Sequence, residues 1–93
     1  MNEKDEERLR VLKEKLDEHH TWPSIFMYKF VVPTDQEKIN QIHSIFGESA
    51  EFRERLSKKG NYTSITVREM MLSAEAIFNR YREIGKIEGV ISL

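Results

Sequence analysis

The chain has no cysteine, and among its 93 residues only two prolines, four glycines and one tryptophan. Without thiols there is no disulfide, no iron–sulfur cluster, no thiolate zinc site and no cysteine nucleophile. A small secreted domain often needs disulfide staples, so their absence predicts a cytoplasmic protein. A net charge of −1 provides no global field toward nucleic acid or an anionic membrane, so any electrostatic role must reside in a local patch. No apolar run is long enough to span a bilayer. The opening "MNEKDEERLR" is charged throughout and does not read as a signal peptide.

The remaining residues suffice for one modest core. Hydrophobic residues make up 39% of the chain and charged residues 33%, a balance typical of a globular domain. "DEERLRVLKEKLDEHH" predicts a helix with a narrow stripe of Leu9, Leu12 and Leu16, which Trp22-Pro23 ends. "SIFMYKFVV" predicts a strand with Phe26, Tyr28, Phe30 and Val32 on its inner face and Ile25, Met27, Lys29 and Val31 on the other. "PTDQEKINQIHSIFG" predicts a helix with Thr34 as N-cap, Glu37 completing a capping box and Gly47 as the stop.

"AEFRERLS" alternates, with Phe52 and Leu56 inward and Glu51, Arg53 and Arg55 outward. "KKGN" predicts a hairpin turn with Gly60 at positive φ. In the return strand, Thr63, Ile65, Val67 and Met71 share one face, and Tyr62, Ser64, Thr66 and Arg68 the other. Ser73 caps a helix with the stripe Ala74, Ile77, Phe78, Tyr81 and Ile84, stopped by Gly85. "KIEGVISL" predicts a last strand with Ile87, Ile91 and Leu93 inward. The expected core is Phe26, Phe30, Ile39, Ile42, Phe46, Phe52, Ile65, Val67, Ile77, Phe78 and Ile84.

The order after the first helix is strand, helix, strand, strand, helix, strand. Two right-handed crossovers joined by a hairpin predict an α+β, ferredoxin-like βαββαβ two-layer sandwich, with the first and third strands central. The domain division is 1–20, an N-terminal helical extension, and 21–93, the ferredoxin-like domain.

Three stretches resemble the YbeD-like family of small bacterial proteins of unknown function. "WPSIFMYKFVV" is similar to that family's opening strand. "SKKGNYTSITV" resembles its S-x-K-G-N-Y-x-S-V-x-I stretch, through Ser57, Lys59, Gly60, Asn61, Tyr62 and Ser64. "YREIGKIEGVISL" is similar to its ending. The likeness runs from Trp22 to Leu93, and the segment Met1–His20 makes a longer start than the family's. The resemblance implies a ferredoxin-like fold akin to ACT regulatory domains. It implies no established activity.

Candidate chemistry reduces to one surface. With the helices over Phe26, Phe30, Phe52 and Ile65, the open sheet face carries Lys29, Arg53, Arg55, Tyr62, Ser64 and Arg68, with Glu51 and Glu88 offsetting part of the charge. A cationic sheet bearing an aromatic is what RNA-recognition domains use, yet they stack bases on two or three aromatics and this face has one. The Lys58-Lys59-Gly60-Asn61 turn has no following helix to cradle a phosphate, so it reads as a bend with solvated lysines. His19 and His20 are adjacent on a helix and His43 stands beside a stripe, with no third ligand in view, so no metal site is expected. The acids of "EFRERL" alternate with arginines and are expected to pair with them rather than act as acid and base.

The expectation is therefore a non-enzymatic regulatory or interaction domain that uses no cofactor. It would bind a protein partner, itself or a small ligand through the sheet edge or the open face. The alternative is a nucleic-acid-binding module using the arginine-rich face. The last strand is the less guarded edge. It is expected either to be covered by the N-terminal helix or to meet a second copy in a homodimer.

Overall fold

Side chains that alternate between a buried and a more exposed face over Ser24–Pro33 and Tyr62–Met71 build the two central strands. In the computed structural model, which describes residues 3–19 and 21–93 and the side chains of 6–16 and 21–93, these are β1 (Ser24–Pro33) and β3 (Tyr62–Met71). They pair antiparallel along their whole length, from Ser24 opposite Met71 to Pro33 opposite Tyr62. The other elements are α1 (Glu3–His19), α2 (Gln36–Ile45), β2 (Glu51–Leu56), α3 (Ala74–Ile84) and β4 (Ile91–Ser92). The sheet order is β2-β3-β1-β4, the order of a ferredoxin-like two-layer sandwich with an added N-terminal helix.

The core lies between the sheet and helices α2 and α3. Tyr28, Phe30 and Val32 of β1 meet Ile65, Val67 and Met71 of β3, Ile39, Ile42 and Phe46 of the α2 region, and Ile77 and Ile84 of α3. Aromatic rings dominate it: Tyr28 lies edge-on to Phe46 at 5.0 Å and stacks with Phe30 at 6.1 Å between centroids. Phe26 and Phe52 are only half-buried at its rim. Among the described residues, the buried Tyr28 hydroxyl has no hydrogen-bond partner. Burial, with the neighbouring Tyr81 adding to it, pushes its pKa well above the ordinary tyrosine value.

Several local expectations need correction. Asp35, not Thr34, caps α2: its carboxylate accepts from the Glu37 and Lys38 N–H groups at 2.9 and 3.4 Å. Thr34 instead ties the turn to the hairpin, its N–H donating to the Asn61 carbonyl and its hydroxyl lying 2.9 Å from that of Thr63. Gly47 is no left-handed stop, since among the described residues only Gly60 and Gly89 have positive φ. It is glycine because a Cβ there would stand 2.8 Å from a Glu69 carboxylate oxygen.

Gly85 caps α3 in a right-handed conformation, and the chain turns on through Ile87. That turn consumes most of "KIEGVISL", so β4 is two residues long. Ile91 opposes Val31 and therefore points to the open face, where Ile91 and Leu93 are exposed rather than inward. Leu56 lies on the helix side of β2 but is 62% exposed at the strand's end.

The hairpin matches its expectation. Gly60 has φ 76° and donates to the Ser57 carbonyl, while the Ser57 hydroxyl accepts from the Tyr62 N–H at 3.1 Å. α1 runs along the outside of α3, where Lys13 reaches Glu75 at 3.5 Å, and none of its described side chains lines the groove of the open face. Val11 and Leu12 remain exposed on it.

Candidate functional site

Period-2 alternation decides what the open face presents, because every second residue of each strand points away from the helices. All six residues read as face residues lie there. The register arranges them in rungs across the sheet. Arg53, Thr66 and Lys29 form one rung, with Leu93 beside Lys29 through its N–H bond to the Lys29 carbonyl. Arg55, Ser64, Val31 and Ile91 form the next. Glu51, Arg68 and Met27 form the rung on the other side. Tyr62 lies opposite Pro33 at the end of the sheet, 49% exposed, rather than at its centre.

The middle of this face is a shallow groove of about 540 Å³ lined by Lys29, Arg53, Arg55, Ser64, Thr66 and Leu93, among others. A neighbouring hollow of about 280 Å³ involves Arg68, Glu51, Ile25 and Met70. Among the described residues, none of Lys29, Arg53, Arg55 and Arg68 has an acid within ion-pair distance. This overturns the expectation that the acids of β2 neutralise its arginines. Neighbouring residues of a strand point to opposite faces, so Glu54 lies on the helix side of β2. There it meets His43 at 3.3 Å, and the His43 ring stacks on Phe52 at 4.0 Å.

The chain matches a family described as a protein of unknown function, DUF493, over residues 17–93. The chain belongs to the DUF493 family. That match covers the whole sandwich and every residue of the open face. No curated protein and no solved structure matches the chain.

The most constrained polar group of this DUF493 chain escaped sequence reading. Glu69 is 3% exposed on the inner face of β3. Its carboxylate accepts from the Gly47 N–H at 2.6 Å and from Arg80 at 3.0 Å. Arg80 also donates to the Ile45 carbonyl and lies over the Phe46 ring, 5.6 Å from its centroid. The signal was present: Glu69 occupies an inward slot between Val67 and Met71, and an acid in such a slot needs a cation on the facing helix. This cluster is saturated and ties the end of α2 to α3 and β3.

The remaining motif residues serve the hairpin. Ser57 and Gly60 close it, and Asn61 contributes its carbonyl to Thr34. Lys58 and Lys59 are exposed at the tip. His20 lies outside the described residues, as does the side chain of His19. Among the described residues, no three histidines or acids are grouped to hold a metal ion.

Proposed function

We propose that this DUF493 protein is a non-enzymatic interaction domain whose open sheet face takes up an acidic segment of a partner protein. One observation carries the reading: four cations, Lys29, Arg53, Arg55 and Arg68, share a face without an ion pair among the described residues, on a chain of net charge −1. Like charges on neighbouring strands repel, and an anionic partner relieves that repulsion. The Ser64 and Thr66 hydroxyls between them add short-range hydrogen-bonding groups. Met70 offers apolar contact beside the charge. The non-enzymatic reading is supported by Glu69, the buried carboxylate, whose oxygens are already engaged by Arg80 and Gly47.

Carboxylates are favoured over stacked bases because the one aromatic on the face, Tyr62, stands at its end, whereas single-stranded nucleic acid is held on aromatics along the strands. Further parts of the reading are a kinship with YbeD-like proteins, resting on Ser57–Ser64, an ACT-like regulatory role and a cytoplasmic setting. In it, residues 21–93 form the binding domain and residues 1–20 an extension. The described helices include none long and apolar enough to cross a membrane.

The test is fluorescence anisotropy with a labelled glutamate-rich peptide and a labelled single-stranded oligonucleotide, each over a salt series. The peptide should bind more tightly than the oligonucleotide, and Arg53→Ala with Arg55→Ala should weaken it about 5- to 30-fold, at roughly 0.5–1 kcal/mol per surface charge contact. Tighter, salt-sensitive binding of the oligonucleotide would favour the nucleic-acid reading instead. Binding of neither would refute the role of the face.

A further inference from the structure

Strand β1 is ten residues long, yet β4 pairs only with Phe30 and Val31, and Leu93 adds one bond to Lys29. Among the described residues, no strand lies beside Ser24–Tyr28 on that side. Among the described residues, the lane that β4 begins therefore holds no strand for five residues. An exposed row of backbone donors and acceptors is a template for another strand. The opposite edge, β2, is guarded by Glu51, Arg53, Glu54 and Arg55, whereas Ser24–Tyr28, "SIFMY", carries no charge at all. Its open-face side chains Ile25 and Met27 are 54% and 49% exposed.

We propose that this edge is filled by the same edge of a second copy, paired antiparallel about a two-fold axis at Phe26. The register follows from what is free. Centred on Phe26, the pairing uses all five residues that have no described strand on this edge and no others. Centring on Met27 would require Lys29, whose carbonyl is already bonded to Leu93. Centring on Ile25 would require Pro23, which has no N–H to give. In the Phe26 register, Ile25 faces the partner's Met27 on the open face, and Met27 faces the partner's Ile25. A two-fold contact is self-complementary in this way by necessity.

The second β1 runs in the direction of β4 and continues its lane, giving a sheet of eight strands. The chain bends at Trp22 and Pro23, just before the paired residues begin. Because the sheets join edge to edge, both open faces lie on one side and stay accessible. The inference is thus independent of the acidic-partner reading. The contact is small, at the weak end of interface sizes.

The test is mass in solution by light scattering across a concentration series, with far-UV circular dichroism to confirm folding. The wild-type chain is expected to pass from monomer to dimer as its concentration rises into the high micromolar range. Ile25→Glu and Met27→Lys replace exposed side chains, so each variant should fold, and each should weaken dimerisation at least tenfold. The double variant I25E/M27K sets the new acid of one chain against the new base of the other, twice, and should dimerise more tightly than either single variant. A double variant no tighter than the singles would overturn the register. A wild-type chain that stays monomeric at high micromolar concentration would overturn the dimer and leave the edge to a strand of a different protein.

Discussion

Replacing Arg80 by methionine isolates the buried charge cluster. Glu69 would keep its carboxylate, 3% exposed, with one remaining donor, the Gly47 N–H. Breaking a buried pair by removing one partner typically costs about 3–5 kcal/mol. Arg80 is 30% exposed, so water reaches part of the pair, and about 3 kcal/mol is the better expectation. A 93-residue domain has roughly 5–14 kcal/mol in total, so the loss is a large share of it. Urea unfolding followed by circular dichroism measures it, and the melting temperature should fall by about 12–24 °C.

The same geometry predicts the remedy. Removing both charges, as Glu69→Met with Arg80→Met, should cost less than Arg80→Met alone, because no uncompensated charge stays buried. Gly47→Ala should also couple to Glu69: its Cβ would stand 2.8 Å from the carboxylate, so its cost should largely vanish once Glu69 is methionine. An Arg80→Met variant within about 1 kcal/mol of the parent, or a double variant as unstable as the single, would refute this account of the cluster.

Tyr28→Phe removes a buried hydroxyl that has no partner among the described residues, so stability at pH 7 should be unchanged or rise by up to about 1 kcal/mol in urea unfolding. Because burial raises the folded-state pKa of Tyr28, its neutral form favours the fold; stability is intact below the ordinary tyrosine value near 10 and falls as pH climbs above it, a decline that Tyr28→Phe should make shallower in an alkaline melting series. Gly60→Val should lose about 1–2 kcal/mol through its φ of 76° alone, since a Cβ there meets nothing within 4 Å, and Gly60→Asn should lose clearly less by the same unfolding assay. Phe30→Ala should lose about 3–5 kcal/mol in the same urea unfolding assay.

The sandwich was legible because its signals are local and repeated. β1 and β3 are ten residues each and rich in β-branched and aromatic residues, with burial alternating along both, and the two crossovers leave one common topology. Ser73 and Gly60 behave as their chemistry predicts. The errors occurred where local and tertiary demands compete. Thr34 and Asp35 are both good caps, and the hairpin claims Thr34. Gly47 imitates a helix stop but makes room for a carboxylate from β3, a contact 22 positions along the chain. "GVISL" has the composition of a strand, yet the turn after α3 leaves only two residues in the ladder, and that reverses the facing of Ile91. The cationic residues of the open face were readable from alternation alone. Their lack of acidic partners was not, because Glu51 shares that face opposite Arg68, and only the folded distances show that the two make no ion pair.

The most direct test of the central claim is a titration of the ¹⁵N-labelled chain with a glutamate-rich peptide, followed by amide chemical shifts. Shifts confined to Lys29, Arg53, Arg55, Ser64, Thr66 and Arg68, and abolished at high salt, are the predicted result. Shifts that fall instead on α1 and α3, with the β1–β3 amides unmoved, would contradict it.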